Sequence, residues 1–464
     1  MTVSDRLRNR MIGAWSNLGP RFLPFADAAT PDLPLARLLR LSLFQASVGM
    51  ALVLLIGTLN RVMIVELNVP ASLVAVMIAL PLLFAPFRAL IGFRSDTHKS
   101  ALGWKRVPFI WKGTLVQFGG LSIMPFALLV LSRGGESANL PVWIGQLAAA
   151  VAFLLVGAGV HTTQTVGLAL ATDLAPIESQ PKVVGLMYVM LLVGMLVSAL
   201  VFGHVLADFT PFRLVQVIQG CAVATMVLNI LALWKQETRR SLPSIASAWQ
   251  PSFRESWESF THGDRAIRRL VAVGIGTMAF SMEDVLLEPY GGQVLHLTVG
   301  TTTKLTATLA LGGLVGFSWA SRVLSRGADP FRMASFGAMV GIVAFATVIS
   351  AAPMHSAVLF AVGTLLIGFG AGLFGHGTLT ATMNLAPEDQ RGLALGAWGA
   401  VQATAAGIAV ALGGVLRDLV AGALPETGPA TGYTTVYAIE VVLLFATLFA
   451  MSPLIRPNPR QVAA

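Results

Sequence analysis

The chain has 464 residues, 55% of them hydrophobic and 11% charged, with a mean hydropathy of +0.75. Soluble globular domains carry about 25% charged residues, so this composition excludes an ordinary soluble protein and describes an integral membrane protein. The formal net charge of +9 does not point to nucleic acid, because the basic residues are distributed by membrane side.

In chain order, residues 1–39 form a polar, basic, proline-containing segment that lacks the layout of a secretory signal. Apolar stretches of about 20 residues or more, the length that crosses a bilayer, follow. They lie at 40–60, 69–93, 107–132, 141–172, 183–207, 211–235, 267–288, 300–324, 330–352, 355–384, 391–417 and 431–453. The sequence therefore predicts an all-α polytopic protein with twelve transmembrane helices. Alternating the loops between two sides leaves only Arg61, Arg133, Arg213, Lys304 and Arg417 on one of them. The positive-inside rule then puts both termini in the cytoplasm.

The spans divide six and six around a hydrophilic stretch, which sets the expected organisation: a six-helix bundle over 40–235, a cytoplasmic linker over 236–266, a second bundle over 267–453 and a tail over 454–464. In the linker, Ser252 and Glu255 fit a capping box. Trp249, Phe253, Trp257 and Phe260 share a helical face there, which predicts a short helix on the membrane surface. The halves also resemble each other. Thr172-Asp173-Leu174-Ala175-Pro176 at the end of span 4 recurs as Met383-Asn384-Leu385-Ala386-Pro387 at the end of span 10, and the segment Asn60 to Glu66 aligns with Met282 to Glu288. Two parallel six-span repeats are the mark of the major facilitator architecture. Gly92, Arg94 and Asp96, followed by Lys105 and Arg106, match that family's motif between spans 2 and 3, which can latch helix ends by charge pairing.

Glu283, Asp284 and Glu288 stand at the end of span 7. In a continuous helix Asp284 and Glu288 would share a face near its C-terminus, where like charges repel and the helix dipole disfavours anions. Acids in a span mark a function or a buried pair. The repeat alignment makes Arg61 equivalent to Glu283 and Glu66 to Glu288, so a salt-bridge gate between halves stands beside partner docking or proton exchange. Glu440, deep in span 12, is a further lone acid.

His161 in span 4 and His376 in span 10 fall at similar depth. A neutral imidazole can ligate the magnesium of a chlorin ring; the plainer alternative is a hydrogen-bonded histidine at a helix contact. Gly368, Gly370, Gly372, Gly375 and Gly377 crowd span 10, which predicts close helix approach. Cys221 is the only cysteine, so no intramolecular disulfide forms. No Walker-type loop is present, which argues against ATP-driven transport.

The stretches Gly57 to Leu67, Arg88 to Arg106 and Met282 to Gly292, with Arg21 to Asp27 before span 1, resemble the PucC/LhaA family of purple phototrophic bacteria, and the resemblance runs over nearly the whole chain. It implies a bacteriochlorophyll-delivery branch of the major facilitator superfamily, non-enzymatic, that assists assembly of light-harvesting complex 1 or 2 in the inner, intracytoplasmic membrane. The implied cargo is bacteriochlorophyll a. The implied partners are the light-harvesting α and β polypeptides and the antenna or reaction-centre complex, with chlorophyll synthase and the membrane insertion machinery as further candidates. On this reading His161 or His376 ligates pigment magnesium, and Arg61, Glu66, Glu283, Asp284 and Glu288 gate or dock. A proton-coupled transporter of a small solute and a pigment-free scaffold are the alternatives.

Overall fold

The structure is a computed structural model describing residues 25, 28–30, 33–83, 91, 94–95, 104–133, 135–176, 179–237, 265–385 and 391–455. The regular elements among them are helices: α1 (Leu35–Glu66), α2 (Ala71–Leu83), α3 (Val107–Leu131), α4 (Val142–Leu174), α5 (Gln180–Val205), α6 (Pro211–Leu233), α7 (Ala266–Gln293), α8 (Val299–Leu324), α9 (Pro330–Ala351), α10 (Ala357–Leu385), α11 (Arg391–Ala423) and α12 (Ala430–Met451). Eleven are long and apolar enough to cross a bilayer, and the apolar start of the twelfth, α2, is described over Ala71–Leu82. Helices are required here because lipid offers no partners for backbone N–H and C=O groups. Some of their starts are set by ordinary capping chemistry. Thr210 and Asp329 each accept a hydrogen bond from the backbone N–H three residues on and are followed by Pro211 and Pro330, residues suited to the first helical position.

We call the side from which α1 enters the near face and the side it reaches at Glu66 the far face. The outer surfaces are apolar: Phe126, Phe212 and Phe449 are 68%, 69% and 79% exposed, a belt suited to acyl chains and not to water. Within the halves, α3 packs on α4 as α9 packs on α10; between them, α2 packs on α11 and α5 on α8. Exchanging the repeats turns α2–α11 into α8–α5, so these pairings carry the internal symmetry. Small residues permit them. A Cβ on Gly414 would lie 2.7 Å from the Ala71 carbonyl oxygen, and one on Gly300 would lie 2.8 Å from that of Gly203.

Two spans differ from expectation. α1 is longer than 40–60 and widens into π-helical turns over Val53–Leu59 and Val62–Glu66. α7 is broken: its first segment stops at Ala279, a 3-10 turn covers Glu283–Val285, and a second segment runs Leu287–Gln293. The predicted surface helix in the linker lies outside the described residues, as do Gly92 and Asp96.

Candidate functional site

The break in α7 has a covalent cause. Pro289 has no N–H and its ring would crowd the carbonyl of Val285 in a continuous helix. The Val285 carbonyl instead accepts from Asn60 Nδ2 of α1 at 2.9 Å, and the Glu283 N–H, freed on the other side of the break, donates to Glu440 Oε1 of α12 at 2.8 Å. Both π-widened α1 and broken α7 thus meet at equivalent points of the two repeats. Irregular spans at corresponding positions mark the binding region in proteins of this architecture.

This geometry corrects the sequence picture of the acids. Asp284 and Glu288 do not share a face near a helix C-terminus: Asp284 sits in the 3-10 turn and Glu288 in the first turn of a new segment, an end that favours anions. Glu283 and Glu288 are buried, and Asp284 is partly exposed. Glu288 Oε1 accepts from the Thr306 hydroxyl of α8. Gly57 leaves room for that carboxylate, since a Cβ there would lie 2.6 Å from it. Glu440, buried in α12, is the neighbour of Glu283 that the sequence did not supply.

Arg61 pairs with Glu66 of its own helix, Nη1 to Oε1 at 2.5 Å, and reaches the other half through Nη2 to the Leu297 carbonyl at 3.0 Å. Its guanidinium lies against the backbone of Gly292. The ion pair of Arg61 is therefore with Glu66 of its own helix, and its bond to the second half goes to a backbone carbonyl. Further around the far face, the Ser72 N–H donates to Asp418 Oδ2 at 2.7 Å, joining α2 to α11. Arg417 donates to Asp418 at 2.8 Å and to Gln293 at 2.5 Å, and the Tyr433 hydroxyl also donates to Gln293, at 2.7 Å. With the Thr58 and Thr303 hydroxyls 3.5 Å apart, these contacts tie the two halves together in the far half of the molecule. Asn60, Gln293, Arg417 and Asp418 were not singled out as site residues from sequence; the signal available for Asn60's partner was Pro289, whose missing N–H leaves the Val285 carbonyl free.

At the near face, Arg106 donates from Nε to Asp173 at 2.9 Å and from Nη1 to Ser95 at 2.6 Å. Lys105 Nζ stands 3.9 Å from Asp173. Glu237, at the end of α6, accepts from the backbone N–H groups of Lys105, Arg106 and Val107 at 2.6–3.1 Å and caps α3. Arg94 is exposed. The described charge pairs of this motif therefore hold α3, α4 and α6 of the first half together; the latch residues Gly92 and Asp96 are not among the described ones.

His376 is 7% exposed and sits between rings of the second half and the N-terminal segment: its centroid is 4.3 Å from that of Phe317 on α8 and 5.6 Å from that of Phe25. Its Nδ1 is buried without a hydrogen-bond partner. His161 is half-buried on α4 and is not one of these rings, so the structure does not bring the two histidines into one described cluster. Among the described residues no three His, Cys, Asp or Glu side chains gather as a metal centre. What the arrangement offers is one imidazole between aromatic walls near one face, and a hydrogen-bonded joint with buried acids near the other.

Comparison with known proteins adds relatives along the whole chain. The family described as PUCC protein matches residues 58–458. Protein PucC of Rhodovulum sulfidophilum is 66% identical over 90% of this chain and 92% of its own length; Protein PucC of Cereibacter sphaeroides is 59% identical over 95% and 96%. A more distant relative in Rhodobacter capsulatus, the bacteriochlorophyll synthase 44.5 kDa chain, is 28% identical over 88% and 92%. Among solved structures, a bacterial homologue of the lysosomal transporter Spinster superposes with a TM-score of 0.64 at 14% identity, covering 91% of this chain and 98% of that one. A bacterial homologue of the iron transporter ferroportin does so with 0.64 at 15%, covering 90% and 97%. These structural likenesses establish the major facilitator fold.

Proposed function

Because this chain belongs to the PucC family, we propose that it is a non-enzymatic assembly factor for the light-harvesting antenna of a phototrophic bacterium, holding bacteriochlorophyll a within the membrane and passing it to the α and β antenna polypeptides. A relative named for bacteriochlorophyll synthase supports the link to that pigment. The observation that carries the reading is His376: a buried imidazole with an unpartnered Nδ1, flanked by the aromatic rings of Phe317 on α8 and Phe25 of the N-terminal segment. The pigment's central magnesium is a Lewis acid that a neutral imidazole can ligate. Phe317 supplies a flat wall, and the bilayer-facing bundle keeps a water-insoluble cargo out of water. His161, half-buried on α4, is a second, more peripheral ligand candidate.

In this reading the Arg61, Glu66, Glu283, Asp284 and Glu288 group at the α1–α7 joint sets how far the halves part and docks the partner polypeptides. The basic near face belongs to the cytoplasm, and the protein resides in the inner, intracytoplasmic membrane beside the antenna or reaction-centre complex, chlorophyll synthase and the insertion machinery. A second reading, proton-coupled transport of a small solute, draws on the buried acids at the broken helix.

The test is complementation of a deletion host with wild type, His376→Ala, His161→Ala and the double variant. Loss of antenna absorption and of co-purified pigment with His376→Ala, at unchanged protein level, is the expected result; intact pigment and antenna in the double variant would overturn the ligand assignment. Proteoliposomes that drive proton-linked uptake would favour the second reading.

A further inference from the structure

The far joint between the halves is hydrogen-bonded, whereas the near joint contains a piece of the chain's own N-terminal segment. Phe25 inserts between α5, α8 and α10. Its ring is edge-on to Phe317 at 6.0 Å and to His376 at 5.6 Å, the arrangement aromatic pairs prefer. Tyr188 of α5 closes the group, 6.4 Å from Phe317. Gly185, one turn before Tyr188, forms the floor: a Cβ there would lie 2.7 Å from Phe25 Cζ. Only a residue without a side chain admits the ring.

Phe25 takes an unusual backbone to reach this place, with φ of 63°, in the left-handed region that bulky L residues rarely occupy. It is nonetheless an incomplete occupant. A phenyl ring cannot donate to or ligate a nitrogen, so the His376 Nδ1, on a side chain more than nine-tenths buried, stays without a partner. Beside it, Gly375 faces open space, with nothing within 4 Å of a Cβ built there. Phe25 packs on the cluster of Ala28, Leu33, Leu38, Leu41 and Phe44, and its carbonyl accepts from the Ala28 N–H at 3.0 Å, but the segment has a further anchor where Thr30 and Leu33 exchange backbone hydrogen bonds at 3.1 Å. Phe25 can therefore leave without dislodging α1.

We propose that Gly185, Tyr188, Phe317 and His376 form a seat for a flat apolar ring bearing a Lewis-acidic metal, and that Phe25 is a self-plug which fills the seat until such a ring displaces it. The plug stands on the geometry alone; the metal-bearing occupant rests on the pigment reading above. Ligand entry then expels the Phe25 ring from between α5, α8 and α10, which couples loading of the seat to a change on the near face.

The experiment uses full-length protein with Cys221→Ser and Tyr188→Cys, with and without Phe25→Ala, and follows maleimide labelling in mild detergent. Phe25→Leu, which keeps apolar bulk, controls for folding. Labelling several-fold faster with Phe25→Ala is expected; an unchanged or slower rate overturns the plug. Fluorescence titration with a zinc chlorin and its metal-free counterpart follows. Because a plugged site binds in proportion to its open fraction, Phe25→Ala is expected to bind the zinc chlorin about tenfold more tightly than wild type. His376→Leu is expected to abolish the preference for the metallated ring. Faster labelling without binding of either chlorin would leave the plug standing and overturn the occupant, and with it the pigment reading.

Discussion

Asn60 and Pro289 are far apart in sequence yet share one hydrogen bond's worth of chemistry: the proline removes the helical donor for the Val285 carbonyl, and the asparagine replaces it from α1. Interhelical hydrogen bonds in membrane proteins average about 0.6 kcal/mol and reach about 1.7, and stranding a buried carbonyl puts this one at the upper end. Asn60→Leu is expected to lower unfolding stability in micelles by roughly 1–2 kcal/mol. In a Pro289→Ala background, where residue 289 can donate for itself, most of that loss should disappear; equal losses in both backgrounds would contradict the assignment. The same reasoning applies to Glu440. Glu440→Gln keeps an oxygen for the Glu283 N–H and should stay within about 0.5 kcal/mol of wild type, whereas Glu440→Leu should cost roughly 1–2 kcal/mol in the same unfolding assay. At this scale the sequence marked Glu440 as unusual without its partner, and did not single out Asn60 or Asp418. Glu440, Asn60 and Asp418 gain meaning only from residues 157, 225 and 346 positions away, distances over which no local pattern speaks.

Helices were the most legible level, because the bilayer demands both a length and an apolar composition and both can be counted. The α7 break was legible in part. Pro289 is a helix-breaking residue, but it went unused because the apolar run through 267–288 reads as one span. Close packing of span 10 was also foreseeable from its glycines, although not which of them touch. A Cβ on Gly368 would lie 2.0 Å from the Leu309 carbonyl oxygen, whereas one on Gly375 meets nothing within 4 Å. Gly368→Val should therefore force α8 and α10 apart and sharply reduce the yield of folded protein in detergent. Gly375→Ala should leave yield and thermal midpoint unchanged. Matching yields for the two would show that α8 and α10 do not meet as described.

Across the whole molecule, the far half is joined by Asn60–Val285, Arg61–Leu297, Ser72–Asp418 and Thr58–Thr303, and the near half by rings around His376. The far side thus carries directional bonds between the halves, and aromatic contacts contribute on the near side. Asp418→Ala removes the cap on α2 and the link to α11, so it should destabilise the protein by about 1 kcal/mol and expose a cysteine placed at Thr303, in a Cys221→Ser background, to thiol reagent. Unchanged labelling would mean that the far joint does not depend on this link. The twelve spans and the repeat were readable from hydropathy and recurring motifs. The contacts that make up each joint were not, because they arise from which side chains meet once the halves are packed.

The most direct measurement is the absorption spectrum, with pigment extraction and mass spectrometry, of the protein purified in mild detergent from a phototrophic host lacking its antenna polypeptides. The account predicts bacteriochlorophyll in near-stoichiometric amount, lost with His376→Ala. Protein that is folded, abundant and free of pigment from that host would contradict it.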